Sequence, residues 1–304
     1  MKLKLLLGII VFLAFHKSTN ACINYYVINE TGRQQMHADY PPYSIYINNK
    51  YTLESLHETE KAIKTADENN RYQLFSNYCA DLIKLGRCND ALNILKKLYI
   101  GHNNEYQISS NLAVAFELTG QLDSALYYMK QSLRINPDSH EKTEWFHVKY
   151  LEAAIKENDG KLDLNQLRIW DISLDTSVKV GYAISHQLKE RIPLTSSPNK
   201  LLSKVIEEAG DYYRKNISIN WSIKLYAIAH GYSNNSMTKE NIMNKIIEVR
   251  EKILTMDGVT NSTLKKDQKW LRKSTWKKRL NQDINVWSTF KSCYTDDLKI
   301  LDYN

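Results

Sequence analysis

His140, Glu144 and His147 are the residues whose types and spacing first suggest chemistry. At i, i+4 and i+7 they would fall within ~60° of one another on a helix. Two imidazoles and a carboxylate arranged so can hold Zn²⁺. The pattern is not the H-E-x-x-H of zinc proteases, however, and the same face continues into Leu151 and Ala154, which are core residue types. Both histidines are therefore expected to be structural, each hydrogen-bonded to a neighbouring helix, with a metal-dependent hydrolase as the alternative from another class. No other catalytic signature accompanies them: the chain lacks G-x-x-x-x-G-K-[ST], G-x-G-x-x-G and G-x-S-x-G. No cofactor is called for, and the expectation is a non-enzyme. The acidic pairs Glu207-Glu208 and Asp296-Asp297 read as solvated charges.

The elements that must position these residues are legible in the stretch Tyr106 to Pro137. It resembles a tetratricopeptide repeat, a helix–turn–helix of about 34 residues with small and large apolar residues at fixed offsets. Leu112 and Ala113 take the Leu-Gly pair, Phe116 the aromatic, Gly120 the turn, Ala125 and Ser132 the small positions, Met129 the large one and Pro137 the close. Ser109, at the Trp position, departs from it. One period earlier Phe75, Tyr78, Cys79, Leu82, Gly86, Ala91 and Leu95 occupy the same offsets. A looser copy places Ile206, Ala209, Gly210, Tyr213, Ser222, Tyr226 and Ala229 there, without the turn Gly or the Pro. Small residues are needed where two antiparallel helices touch, and glycine permits the reversal between them.

This resemblance implies a binding surface, because the first helix of each such repeat lines a concave face on which the sixth position is often Asn. Asn77 and Asn111 both occupy that position. An amide that donates and accepts can hold a partner's extended backbone, and Gln73, Ser76, Lys84, Gln107, Ser110 and Glu117 would flank it on the same surface.

The rest of the chain reads as envelope-directed. Lys2 and Lys4, an apolar run from Leu5 to Phe15 and Thr19-Asn20-Ala21 before Cys22 read as a signal peptide over residues 1–21. The apolar run is too short for a membrane span, which needs roughly 20 residues, and no later stretch of the mature chain is long enough. Ordinary cleavage after Ala21 and lipidation of Cys22 both remain open. The expected location is the periplasm or cell envelope, with membrane anchoring through Cys22 as one of the two cases. Cys79 and Cys88 read as small buried residues rather than as a disulfide, since one sits mid-helix and the other just past the Gly86 turn.

Residues 22–51 read as an extended lead-in. Residues 52–257 form the helical repeat domain, with repeats near 72–105, 106–139 and, degenerate, 203–236. The first helix should break at Glu68-Asn69-Asn70, and Asp138 should cap a helix running from His140 to Glu157. An irregular connection from Gly160 to Ser177 follows, then helices from Val178 to Arg191 and Lys239 to Met256. In residues 258–304 the stretch from Lys265 to Arg279 carries net +7 around Trp270 and Trp276, so the chain's formal +7 is concentrated there. That region could meet an anionic membrane surface or an acidic partner; nucleic acid is disfavoured by export.

The runs Asn111 to Ile155 and Gln187 to Pro193, with Cys22 opening the mature chain, also resemble exported tetratricopeptide proteins of Bacteroidetes-type bacteria to which no reaction is assigned. The expected fold is all-α, a solenoid of antiparallel helix pairs with an extended N-terminal segment and a basic C-terminal helical tail. The expected role is a non-catalytic scaffold binding a protein or peptide through Gln73, Asn77, Lys84, Gln107, Asn111 and Glu117.

Overall fold

The computed structural model describes residues 25–28, 34–37, 49–170, 180–258, 262–292 and 298–303. The leader 1–21, Cys22, Cys293 and Asp296-Asp297 lie outside the described residues. The body is all-α. Its one described sheet is an antiparallel pair, β1 (Tyr25–Ile28) and β2 (Gln34–His37), with Tyr25 opposite His37.

Helix α1 (Asn49–Thr65) begins three residues before the expected boundary at Thr52. It ends because Asp67 takes an extended conformation and accepts a hydrogen bond from the Asn69 amide, capping α2 (Glu68–Lys84). The expected break at Glu68-Asn69-Asn70 therefore falls two residues early, at Ala66-Asp67, and Glu68–Asn70 form the first turn of α2.

From α2 the chain reverses into α3 (Cys88–Gly101), and α4 (Tyr106–Leu118) reverses into α5 (Leu122–Ile135) by the same turn. Gly86 and Gly120 hold φ of 75° and 80°, a left-handed conformation that costs glycine nothing. In the first turn the Gly86 and Arg87 amides bond to the Ile83 and Leu82 carbonyls at 2.9 and 2.8 Å. In the second, Gly120 and Gln121 bond to Glu117 and Phe116 at the same two distances. Identical turns one period apart mean that the two segments share a local structure as well as a pattern. Between the helices Ala91, Ala113 and Ala125 are wholly buried, as are Leu95, Leu112 and Met129.

The expected helix from His140 to Glu157 is instead two elements. A single turn, α6 (Ser139–Lys142), carries His140 at φ 48° and Lys142 at φ 67°, and α7 (Trp145–Asn158) starts after it. Two left-handed residues cannot continue a right-handed helix. The Asp138 side chain makes no capping bond; the Thr143 hydroxyl donates to the His140 carbonyl at 2.8 Å and holds the bend.

After an irregular 160–170, as expected for its described part, come α8 (Val180–Arg191) and a 3₁₀ turn (Ile192–Leu194) containing Pro193. The stretch expected to hold a degenerate third copy is a closely packed helix pair, α9 (Lys200–Asn216) and α10 (Ile219–Tyr232), joined through Ser218, whose side chain caps α10. Helix α11 (Ser236–Thr255) follows, three residues longer at its start than expected. Glu207 and Glu208 are not solvated. The Glu208 carboxylate accepts from the Ile169 and Trp170 amides at 2.9 and 3.1 Å, pinning the irregular segment, and Glu207 accepts from Lys245 at 2.6 Å.

The basic region, expected as a helical tail, holds two helices, α12 (Ser262–Leu271) and α13 (Trp276–Ser288), which dock on the helical body. Leu264, Leu271, Leu280 and Ile284 are buried in the core shared with α9–α11. Trp270 and Trp276 pack against that core, with Arg279 5.4 Å and Arg250 4.6 Å from their ring centres. Residues 298–303 then return to the first helices: Tyr303 meets Phe75 edge-on at 4.9 Å and the Leu301 amide donates to the Tyr78 hydroxyl at 3.1 Å.

The buried side chains form two clusters. One joins α1–α5 with Leu151 and packs the 298–303 residues; the other runs from Phe146 through α8–α13. The elements α4, α7 and α8 meet where the two clusters adjoin.

Candidate functional site

That junction holds a concave cleft of about 480 Å³. Its apolar wall comes from Ile83, Val114, Leu118, Pro193 and Leu194. Its polar wall comes from Asn111 and Glu117 on α4, His140 and Glu144 at the α6–α7 bend, His147 on α7, and Gln187 and Arg191 on α8.

Glu117 is the hub. Its carboxylate pairs with both terminal nitrogens of Arg191, the Nη2–Oε2 separation being 3.2 Å. His147 Nε2 donates to the same Oε2 at 2.6 Å. The Glu117, Arg191 and His147 side chains are only 10%, 8% and 8% exposed. Burial alone would raise the Glu117 carboxyl, but Arg191 and then His147 outweigh it and hold the group well below the usual carboxylate range. The Arg191 guanidinium also lies 3.8 Å from the centre of the Tyr150 ring, a stacked cation–π arrangement. Arg191 falls on the Ile184–Leu188 stripe of α8, all three being buried. A charged residue on an apolar helical stripe was the signal for it, and sequence reasoning passed over it.

Glu144 lies on the other side of His147. Its Oε2 makes no hydrogen bond among the described residues, the His147 Nδ1 standing 3.8 Å away. Its Oε1 is 3.4 Å from His140 Nε2, and His140 Nδ1 lies 2.8 Å from His186 Nε2. The two histidines are thus tied to neighbouring helices. Among the described residues no three His, Cys, Asp or Glu side chains converge on a metal-sized point. The chain bends between His140 and Glu144, so the three residues do not share a straight-helix face; across the bend His140 Nε2 and His147 Nδ1 still lie 3.4 and 3.8 Å from the Glu144 carboxylate.

The residues expected to form the concave binding face divide. Lys84, Ser110, Asn111 and Glu117 line the cleft. Gln73, Asn77 and Gln107 do not; they are exposed outside it. Gln73 donates to the Tyr72 hydroxyl at 3.1 Å. Asn111 reaches back to α2, its Nδ2 3.2 Å from Ser76 Oγ and 3.3 Å from the Ser76 carbonyl. Its donor therefore holds two helices together, and only its acceptor Oδ1 is left for a partner. Sequence reasoning did not find His186, Gln187 and Arg191, since α8 is distant in sequence and no pattern ties it to α4.

No protein family, curated protein or solved structure matches this chain. No described helix is long and apolar enough to cross a membrane.

Proposed function

We propose that the chain is an exported, non-catalytic scaffold of the cell envelope, a tetratricopeptide-like solenoid that binds a peptide segment of a partner protein in the cleft between α2, α4 and α8. The observation that carries this reading is the cleft itself. Its volume falls in the ~300–1,000 Å³ range of ligand sites, with an apolar wall opposite a few convergent polar groups. Support for the repeat architecture comes from the duplicated Gly86 and Gly120 turns and the buried alanines beside them.

Crosslinking in intact cells tests the proposal, comparing the unaltered chain with Ser110→Trp, which fills the cleft, and Lys84→Glu, which alters only its exposed rim. Capture should fail for Ser110→Trp and weaken for Lys84→Glu. Undiminished capture by a folded Ser110→Trp protein would place the partner elsewhere. The basic α12–α13 pair is a second candidate surface, for anionic lipid, but truncation at Gly258 cannot probe it cleanly. That deletion would also strip the α10 core and the 298–303 contacts. The alternative, a metal-dependent hydrolase, would be supported by stoichiometric zinc that survives dialysis and is lost in a His140→Ala/His147→Ala double variant.

A further inference from the structure

Residues 298–303, Leu-Lys-Ile-Leu-Asp-Tyr, lie against α2 and α3 without forming helix or strand. Among the described residues no backbone–backbone hydrogen bond ties them to the helices. Side chains hold them instead. Leu298, Ile300, Leu301 and Tyr303 pack on the apolar cluster of α1–α5, Tyr303 standing edge-on to Phe75. The Tyr78 hydroxyl accepts from the Leu301 amide. Lys97 Nζ reaches both Asp302 Oδ1 at 2.7 Å and the Tyr303 carbonyl at 3.1 Å.

None of the six residues is itself buried, whereas the Phe75 and Tyr78 they touch are 1% and 0% exposed. The Lys97 and Asp302 side chains remain 47% and 66% exposed. A surface holds a short peptide in the same way, with apolar anchors, a charged pair at the rim and donors or acceptors for the peptide's main chain. An exposed ion pair and a few half-buried side chains contribute little beside helix packing, so the segment can open while the helices stay folded.

We propose that the surface around Phe75, Tyr78 and Lys97 is a second peptide-docking site, which the chain fills with its own residues 298–303 and which a partner segment of the same chemistry takes over. That chemistry is a pair of apolar side chains followed by a carboxylate and then an aromatic residue. Charge complementarity with Lys97 selects the acid, and the Phe75 ring selects the aromatic. The site is separate from the cleft, since none of Phe75, Tyr78 and Lys97 lines it. A tethered occupant acts at an effective concentration of about mM. The affinity of a free segment is therefore scaled down by the fraction of molecules whose own segment is released.

The test titrates a fluorescein-labelled Leu-Lys-Ile-Leu-Asp-Tyr amide into the purified full chain and follows anisotropy. The control peptide, Leu-Lys-Ile-Leu-Lys-Ala amide, lacks the acid and the aromatic ring. Tyr303→Ala weakens the occupant without touching the surface beneath it, so this variant should bind the labelled peptide at least tenfold more tightly than the wild type. Adding Lys97→Glu to it should weaken binding several-fold. Equal affinity of wild type and Tyr303→Ala, equal binding of the control, or no binding at mM peptide each overturns the proposal. A wild-type dimer that Tyr303→Ala dissociates would make the occupant a second copy, and would overturn it too. Should Tyr303→Ala not fold, hydrogen exchange of the unaltered chain decides. The Leu301 amide should exchange faster than the Leu95 amide of α3, and faster still with excess unlabelled peptide. Equal protection of the two amides, or no response to the peptide, sinks the proposal.

Discussion

Replacing Glu117 with Gln removes the negative charge from the centre of the cleft wall and strands the Arg191 guanidinium, whose side chain is 8% exposed. Breaking a buried pair by neutralising one partner costs about 3–5 kcal/mol, because the remaining charge is left uncompensated. For a chain of this size each kcal/mol shifts Tm by about 2–4 °C, so the variant should melt roughly 6–20 °C lower. The loss should be recovered in large part by Glu117→Met/Arg191→Met, where neither charge remains and the methionines refill the space. Acid behaviour gives an independent check. The folded-state Glu117 carboxyl lies below its ordinary 4.5, so its contribution is complete at pH values above 4.5 and is lost as pH falls below it. Urea unfolding of both proteins from neutral pH downward should therefore show a steep decline in the wild type below that point and a flatter one in Glu117→Gln. A loss at neutral pH within the ~0–1 kcal/mol typical of an exposed pair, or an equally steep acid decline, would refute the hub role assigned to this group.

Two further substitutions test the packing. Ala125→Leu, at a wholly buried position between α4 and α5, should overpack that pair and lower the urea-derived stability by about 1–3 kcal/mol. Gly231→Ala ought to stabilise α10 by about 1 kcal/mol on propensity alone. A Cβ there would sit 2.5 Å from Trp287 Cβ and 3.0 Å from the Ile284 carbonyl oxygen, so the expected outcome is a net loss, with α13 displaced. An unchanged denaturation midpoint for Gly231→Ala would mean that α13 does not dock as described.

The gap between what was legible in the chain and what was not follows interaction range. The turn at Gly120 needs only residues within five positions, and the small side chain at Ala125 reflects contact with the adjacent helix, so both leave a pattern that period and residue type reveal. The bend at His140 left none. It arises from two left-handed residues that no glycine or proline announces, and it replaces the straight-helix geometry expected for His140, Glu144 and His147 with contacts made across the bend. The binding face was half legible for the same reason. Asn77 and Asn111 share a repeat position, but α8 covers only the Asn111 end, and nothing local to α2 encodes where α8 packs.

By itself, then, the amino-acid sequence determined the all-α body, the duplicated helix pairs and the small residues between them, because helical periodicity, glycine turns and steric fit act over a few residues. Only the tertiary structure decided that Glu117 pairs with Arg191, that His140 meets His186, that Trp270 and Trp276 are occupied by core and cations, and that residues 298–303 return to Phe75. Charges held this far apart along a chain find one another through the packing of the helices that carry them. The same glutamate on an exposed turn would read identically in sequence and would have no such partner.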